Sequence, residues 1–226
     1  MEQELHFTVG NSERPVSALL VRPENASWLI VLGHGAGAGI RHPFMAGLAL
    51  SLADHGIASL RYQFPYMEQG KRAPDPQPVL LETVRSAVSL AREYAGDLPM
   101  LAGGKSLGGR MTSTAACRDP LPGVRGLVFF GFPLHAPGKP SDERGRHLFE
   151  VNLPMLFLQG TRDQLADLTL LRPLCDRLGK RARLHVIDGA DHSFHVPKKS
   201  GRTDQDVLNE LGEAAAYFSR QISKLH

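Results

Sequence analysis

The stretch PMLAGGKSLGGRMTSTAAC, residues 99–117, runs from a short apolar segment into a helix-forming one through a turn rich in glycine. It contains G-x-S-x-G as Gly104, Lys105, Ser106, Leu107 and Gly108. A serine hydroxyl becomes a useful nucleophile when a sharp turn exposes it at a helix N-terminus, and strand and helix nearly touch at such a turn. Small neighbours are therefore required, and Gly104, Gly108 and Gly109 supply them. GGKS also ends a phosphate-binding loop, but that pattern needs a glycine where this chain has Pro99. Without the long glycine loop the backbone amides cannot wrap a triphosphate, which argues against a nucleotide site.

Outward from this turn, short β-rich runs alternate with helical patterns in both directions. Strands are expected at Leu5 to Val9, Pro15 to Arg22, 27–35, 57–64, 99–106, 124–133, 154–161 and 183–189. Helices are expected at Pro43 to His55, Pro78 to Tyr94, Leu107 to Cys117, Leu168 to Leu178 and Asp204 to Ile222. The first two strands have no helix between them and meet at a turn containing Gly10 and Asn11, so the sheet begins with an antiparallel hairpin. The rest of the alternation predicts the α/β class: one domain over residues 1–226, a mostly parallel eight-stranded sheet, and helices on both faces. Two irregular stretches, Pro65 to Gln77 and Pro133 to Asn152, fall at carboxyl ends of strands, where open α/β sheets place their sites.

Composition is consistent with that reading. A chain of 226 residues, 42% hydrophobic, can bury one sizeable core. The formal charge of +3 comes from basic residues interleaved with acids rather than gathered in a stripe, which argues against nucleic-acid or anionic-membrane partners. The two cysteines, Cys117 and Cys175, lie in helical segments without ligand spacing and read as buried reduced thiols. MEQELHFTVGN lacks a basic region followed by an apolar one, and no window has the apolar length of a membrane span. A cytoplasmic protein is the expectation.

A serine nucleophile needs a base and an acid to orient that base, in the chain order Ser, Asp or Glu, His for this architecture. LQGTRD puts Asp163 just past the next-to-last strand, and GADHSFH puts His192 just past the last one, so the three side chains would meet at one edge of the sheet. Asp163 could instead cap the following helix, and Asp167 is the other acid of its loop; Asp191 would point away from the neighbouring ring. His195 is the alternative base, read here as a partly buried loop residue. H-x-x-H without further ligands at suitable spacing makes a metal site a poor reading. The oxyanion of a tetrahedral intermediate needs N–H donors, and VLGHGAGAG follows the first long buried strand. The donors are assigned to the amides of Ala36 and Leu107, with Gly37 the alternate for the first. HGAGAG does not match G-x-G-x-x-G, so a dinucleotide is not expected.

With those residues in place, the chain resembles the α/β-hydrolase superfamily, specifically small dienelactone-hydrolase-like proteins, including the testis-expressed hydrolase-like group. The resemblance is carried by GHGAGAG (33–39), RYQFPYMEQGKRAPD (61–75), GGKSLGGR (103–110), QGTRD (159–163) and GADHSFH (189–195). It implies an eight-stranded sheet, a Ser-His-Asp triad and no cofactor. Dienelactone hydrolases proper use a cysteine where this chain has Ser106, so their substrate is not carried over.

Pro133 to Asn152 lies where larger relatives insert a lid; its prolines, Gly138 and the charged run Asp142 to Arg146 read as a solvated excursion, not a cap domain. Phe64, Tyr66, Phe132, Leu134 and Phe194 are the apolar residues expected around the substrate. Lys71, Arg72, Lys105 and Arg41 fall near the mouth, each read singly as a solvated surface cation. The expected function is hydrolysis of a small-molecule ester with a small acyl group through an acyl-enzyme on Ser106. The competing reading is a catalytically silent binding or scaffold module on the same fold, since fold alone does not fix function.

Overall fold

A computed structural model describes residues 2–224. The chain forms β1 (Glu2–Thr8), β2 (Pro15–Val21), β3 (Trp28–Gly33), α1 (Pro43–Asp54), β4 (Ile57–Tyr62), α2 (Pro65–Glu68), α3 (Gln77–Ala95), β5 (Met100–Lys105) and α4 (Leu107–Arg118). It continues with β6 (Val124–Phe130), β7 (Met155–Gly160), α5 (Leu168–Leu178), β8 (Ala182–Ile187) and α6 (Asp204–Ser223). Among the described residues these strands make one eight-stranded sheet in the order β1-β2-β4-β3-β5-β6-β7-β8. β2 runs antiparallel to both neighbours and the pairs from β4 to β8 are parallel.

The central strands read as continuous apolar runs because both faces of the sheet are covered. Successive side chains point to opposite faces, so Leu29 and Val31 join a core with α3, α4 and α5, while Trp28, Ile30 and Leu32 join a second with α1 and α6. The same alternation divides Leu127 and Phe129 from Val128 and Phe130 on β6, and Met155 and Phe157 from Leu156 and Leu158 on β7. Each such side chain contributes about 1.5–3 kcal/mol when taken out of water, which pins the register of every strand. α6 begins with a reciprocal cap between Thr203 and Asp206.

Three local departures from the sequence reading have physical causes. β1 starts three residues earlier than expected, because Glu2 to Glu4 pair with Leu19 to Val21 through backbone bonds that their exposed polar side chains conceal. Pro65 to Glu68 is a short helix, with Pro65 pre-set for its first turn and Tyr66 buried beneath it. Glu143 to Glu150 forms a 3₁₀ helix inside the stretch read as a solvated excursion, anchored by buried Leu148. Among the described residues no helix is long and apolar enough to cross a membrane.

β3 is flanked by β4 on one side and β5 on the other, so the connections after β3 and β5 leave the sheet side by side at their carboxyl ends. Open α/β sheets hold a crevice at that point.

Candidate active site

The turn between β5 and α4 places Ser106 at the first residue before the helix with φ 49°, a left-handed conformation rare for a residue with a side chain. Crowding maintains it. A Cβ on Gly108 would lie 2.1 Å from the Gly33 carbonyl oxygen, and one on Gly104 would lie 2.2 Å from the same atom. β3 and the elbow touch backbone to backbone, which only glycine permits.

The turn after β7 carries Asp163 and the turn after β8 carries His192. These turns lean on each other: Arg162 N–H donates to the Ala190 carbonyl at 2.9 Å, and a Cβ on Gly160 would sit 2.2 Å from that oxygen. His192 Nε2 lies 2.9 Å from Ser106 Oγ, and its Nδ1 lies 2.7 Å from Asp163 Oδ2. The Asp163 side chain is almost fully buried, and its carboxylate also accepts from the Leu165 amide at 2.8 Å and from Gln159 Nε2. With the carboxylate accepting at Nδ1, the ring carries its proton there and turns the Nε2 lone pair to the serine.

The other acids and the other histidine are engaged elsewhere. Asp167 caps α5, accepting from the Thr169 hydroxyl at 2.7 Å and from its N–H at 2.8 Å, and these two bonds, the hydroxyl's first, hold its carboxyl below the usual range. Asp191 Oδ1 accepts from the amides of Ser193 and His195. His195 pairs with Asp204 at 2.9 Å, which raises its pKa and ties the His192 turn to the start of α6.

The glycine-rich turn after β3 is held from inside by His34. This fully buried ring donates from Nδ1 to the Gly35 carbonyl at 2.7 Å and accepts at Nε2 from the Phe64 amide at 3.1 Å. Burial drives its pKa down to about 4, against a smaller upward pull from the Gly35 bond, so the ring is neutral at ordinary pH. The Gly37 amide donates to the Tyr66 hydroxyl at 3.1 Å and is thereby occupied. The Ala36 amide finds no acceptor among the described residues. Leu107, the first residue of α4, has an amide without an intrahelical partner.

The cavity over Ser106 holds about 330 Å³ and is walled by Ala36, His42, Phe44, Met45, Leu165 and Ser193. This corrects the expected lining. Phe64, Tyr66, Phe132, Leu134 and Phe194 are all 2% exposed or less and pack beneath the site: Tyr66 braces Gly37, Phe132 joins Phe129 and Phe157, and Phe194 stacks on Phe44. The sequence reading places them around the substrate, but their side chains turn inward to the two cores. The residues missed are Phe44 and Met45 at the start of α1, and Leu165 beside Asp163. Gln159 was also missed, although a lone amide ending the apolar run MLFLQ signals a polar task.

Lys105 departs further from expectation. It is 8% exposed, with Nζ 3.3 Å from His192 Nε2 and 5.9 and 5.5 Å from the ring centres of Phe44 and Phe194. Burial lowers its pKa to about 8, against the pull of Asp163 and Asp191. A larger groove of about 490 Å³ between β8 and α6 is lined by Arg183, His185, Glu210 and Tyr217, with neither serine nor cysteine on its walls.

This sheet order, with the elbow after β5 and the acid and histidine turns after β7 and β8, is that of an α/β hydrolase. Residues 26–220 match the α/β hydrolase domain family, to which the chain belongs. It is similar in structure to a dienelactone hydrolase from Anabaena variabilis, with 21% identity, a TM-score of 0.75 and coverage of 96% of this chain and 95% of that one. An α/β serine hydrolase homologue from Coxiella burnetii aligns with 17% identity and a TM-score of 0.74, over 95% and 96% of the two chains. A lidless α/β serine hydrolase from Xanthomonas campestris aligns with 18% identity and a TM-score of 0.72, over 96% and 94%.

Proposed function

We propose that the protein is a serine hydrolase that cleaves esters of small acyl groups through an acyl-enzyme on Ser106. The observation that carries this is the continuous contact from Ser106 Oγ through His192 to Asp163, at 2.9 and 2.7 Å, in a buried and hydrogen-bonded frame. In this reading Ser106 Oγ attacks the acyl carbon while His192 Nε2 takes its proton, and the buried carboxylate of Asp163 stabilises the imidazolium that forms. The alkoxide of the tetrahedral adduct accepts from the amides of Ala36 and Leu107. The adduct collapses as the C–O bond to the leaving alcohol breaks and His192 returns the proton to that oxygen. Water then repeats the sequence on the acyl-enzyme, releasing the acid and restoring Ser106.

The preference for small acyl groups rests on the cavity. At about 330 Å³ it lies at the low end of ligand pockets, and three of its walls are single residues, Phe44, Met45 and Leu165. A chain methylene contributes about 0.8 kcal/mol only while it leaves water, so affinity stops growing once the cavity is full.

Labelling with a fluorophosphonate, followed by mapping of the modified peptide, tests the reading. Modification at Ser106, lost in Ser106→Ala, is the expected result; a folded protein that neither labels nor hydrolyses any ester would favour the silent binding module instead.

A further inference from the structure

Two donors converge on one acceptor. With Asp163 holding the proton of His192 on Nδ1, Nε2 has a single lone pair, and both Ser106 Oγ at 2.9 Å and Lys105 Nζ at 3.3 Å lie within hydrogen-bonding reach of it. We propose that Lys105 is a latch on this site: its ammonium competes with Ser106 for the Nε2 lone pair, and the serine is activated when the lysine becomes neutral. This inference rests on the hydrolase reading and adds to it a positioning residue that acts through His192.

The surroundings of Lys105 make such a latch possible. The titratable groups facing it are His192 and Asp191 from the turn before α6 and Asp163 from the turn after β7. His42, at the start of α1, lines the same cleft. The rings of Phe44 and Phe194 flank the ammonium, and Gly131 after β6 leaves it room, since a Cβ there would sit 3.0 Å from Nζ. The apolar flank and the burial disfavour the charge, while the two carboxylates favour it without making an ion pair with it, and the balance falls near pH 8. Below that pH the ammonium form beside Nε2 predominates. That ammonium also opposes the imidazolium that must form as Ser106 attacks. On deprotonation the proton passes to water at the cleft, and the neutral amine is the weaker competitor because a charge-assisted hydrogen bond is the stronger kind.

The test compares full-length wild type, Lys105→Met and Lys105→Arg by the rate of fluorophosphonate labelling from about pH 6 to about pH 10, beside nitrogen NMR titration of the His192 ring in all three. Methionine keeps an apolar stem between the two rings and removes the amine, whereas arginine stays charged throughout that range. Wild-type labelling should rise through about pH 8. Lys105→Met should label about fivefold faster at neutral pH, the ratio separating a charge-assisted from a neutral hydrogen bond, and should lose the rise near pH 8. Lys105→Arg should stay slow, with no rise near pH 8.

A Lys105→Met profile superimposable on wild type overturns the latch, as does a variant with native circular dichroism that labels more slowly at every pH. Should Lys105→Met fail to fold, Lys105→Arg decides: a wild-type rise in that protein also overturns the latch. Absence of labelling in all three proteins would remove the hydrolase reading, and the NMR titration would still judge the latch. A ring signal with an inflection near pH 8 that Lys105→Met or Lys105→Arg abolishes supports it, and a ring indifferent to both substitutions refutes it.

Discussion

Lowering the pH should unlock the turn that carries Ala36 through one buried histidine. His34 is held at about 4 by burial, whereas in an unfolded chain it titrates at 6.5. Between those values the unfolded chain binds a proton that the folded one refuses, so this group's contribution is fully present above about 6.5 and is lost as the pH falls toward 4. Each tenfold change in proton affinity is worth about 1.4 kcal/mol, which makes the His34 contribution roughly 3 kcal/mol, a large share of the stability of an ordinary domain. The structural cause is specific: a protonated Nε2 becomes a donor facing the Phe64 N–H, so two donors confront each other with no acceptor. Urea unfolding at about pH 7.5, 6, 5 and 4 for wild type and His34→Gln isolates this group, because surface carboxylates titrate alike in both and cancel. Glutamine can accept from Phe64 but has no proton to gain. The stability difference between the two proteins should change by about 3 kcal/mol across that range, to the disadvantage of wild type at the acid end. A difference that stays constant with pH would refute the assignment of the proton-excluding role to His34.

Four further outcomes are expected. Ser106→Ala should lower ester turnover by about 10³-fold or more with an unchanged melting temperature, because its side chain packs against little, and His192→Ala should do the same. His195→Ala should retain most of the activity, since its ring is tied to Asp204 on the surface; a dead His195 variant beside an active His192 variant would reassign the base. Gly108→Ala should lose about 3 kcal/mol or more, or fail to accumulate in soluble form, because its Cβ would meet Gly33 backbone atoms that cannot rotate away; near-native melting would contradict that close approach. On p-nitrophenyl esters kcat/KM should peak between acetate and butyrate, and Phe44→Ala should move the peak to longer chains; a wild-type profile rising to long chains would mean that the 330 Å³ cavity is not the acyl site.

What the sequence determined by itself was whatever depends on neighbours along the chain. The alternation of apolar runs and helical patterns is local, so the order of strands and helices was legible. The elbow was legible for the same reason: a strand, a glycine turn and a helix start lie within a dozen residues, and only small side chains fit where β3 crosses beneath it. Asp163 and His192 could be placed on the same edge of the sheet as Ser106 because a strand's carboxyl end fixes which edge its next residues occupy. The order of strands across the sheet, with β3 between β4 and β5, could not be read along the chain.

Side-chain direction was decided only in three dimensions. Phe64 and Phe132 stand just past the ends of β4 and β6, and Phe194 in the turn after β8, yet whether such a ring faces the cleft or the core depends on what packs over it from distant elements. Phe44 was invisible as a cavity wall because α1 is brought over the elbow by its packing on α6, more than a hundred residues away. Along the chain Lys105 reads as a surface cation because lysine usually is one. Its burial follows from Phe44, Gly131 and the turn that holds His192 and Phe194 closing around it, three places along the chain that come together only when the sheet is assembled.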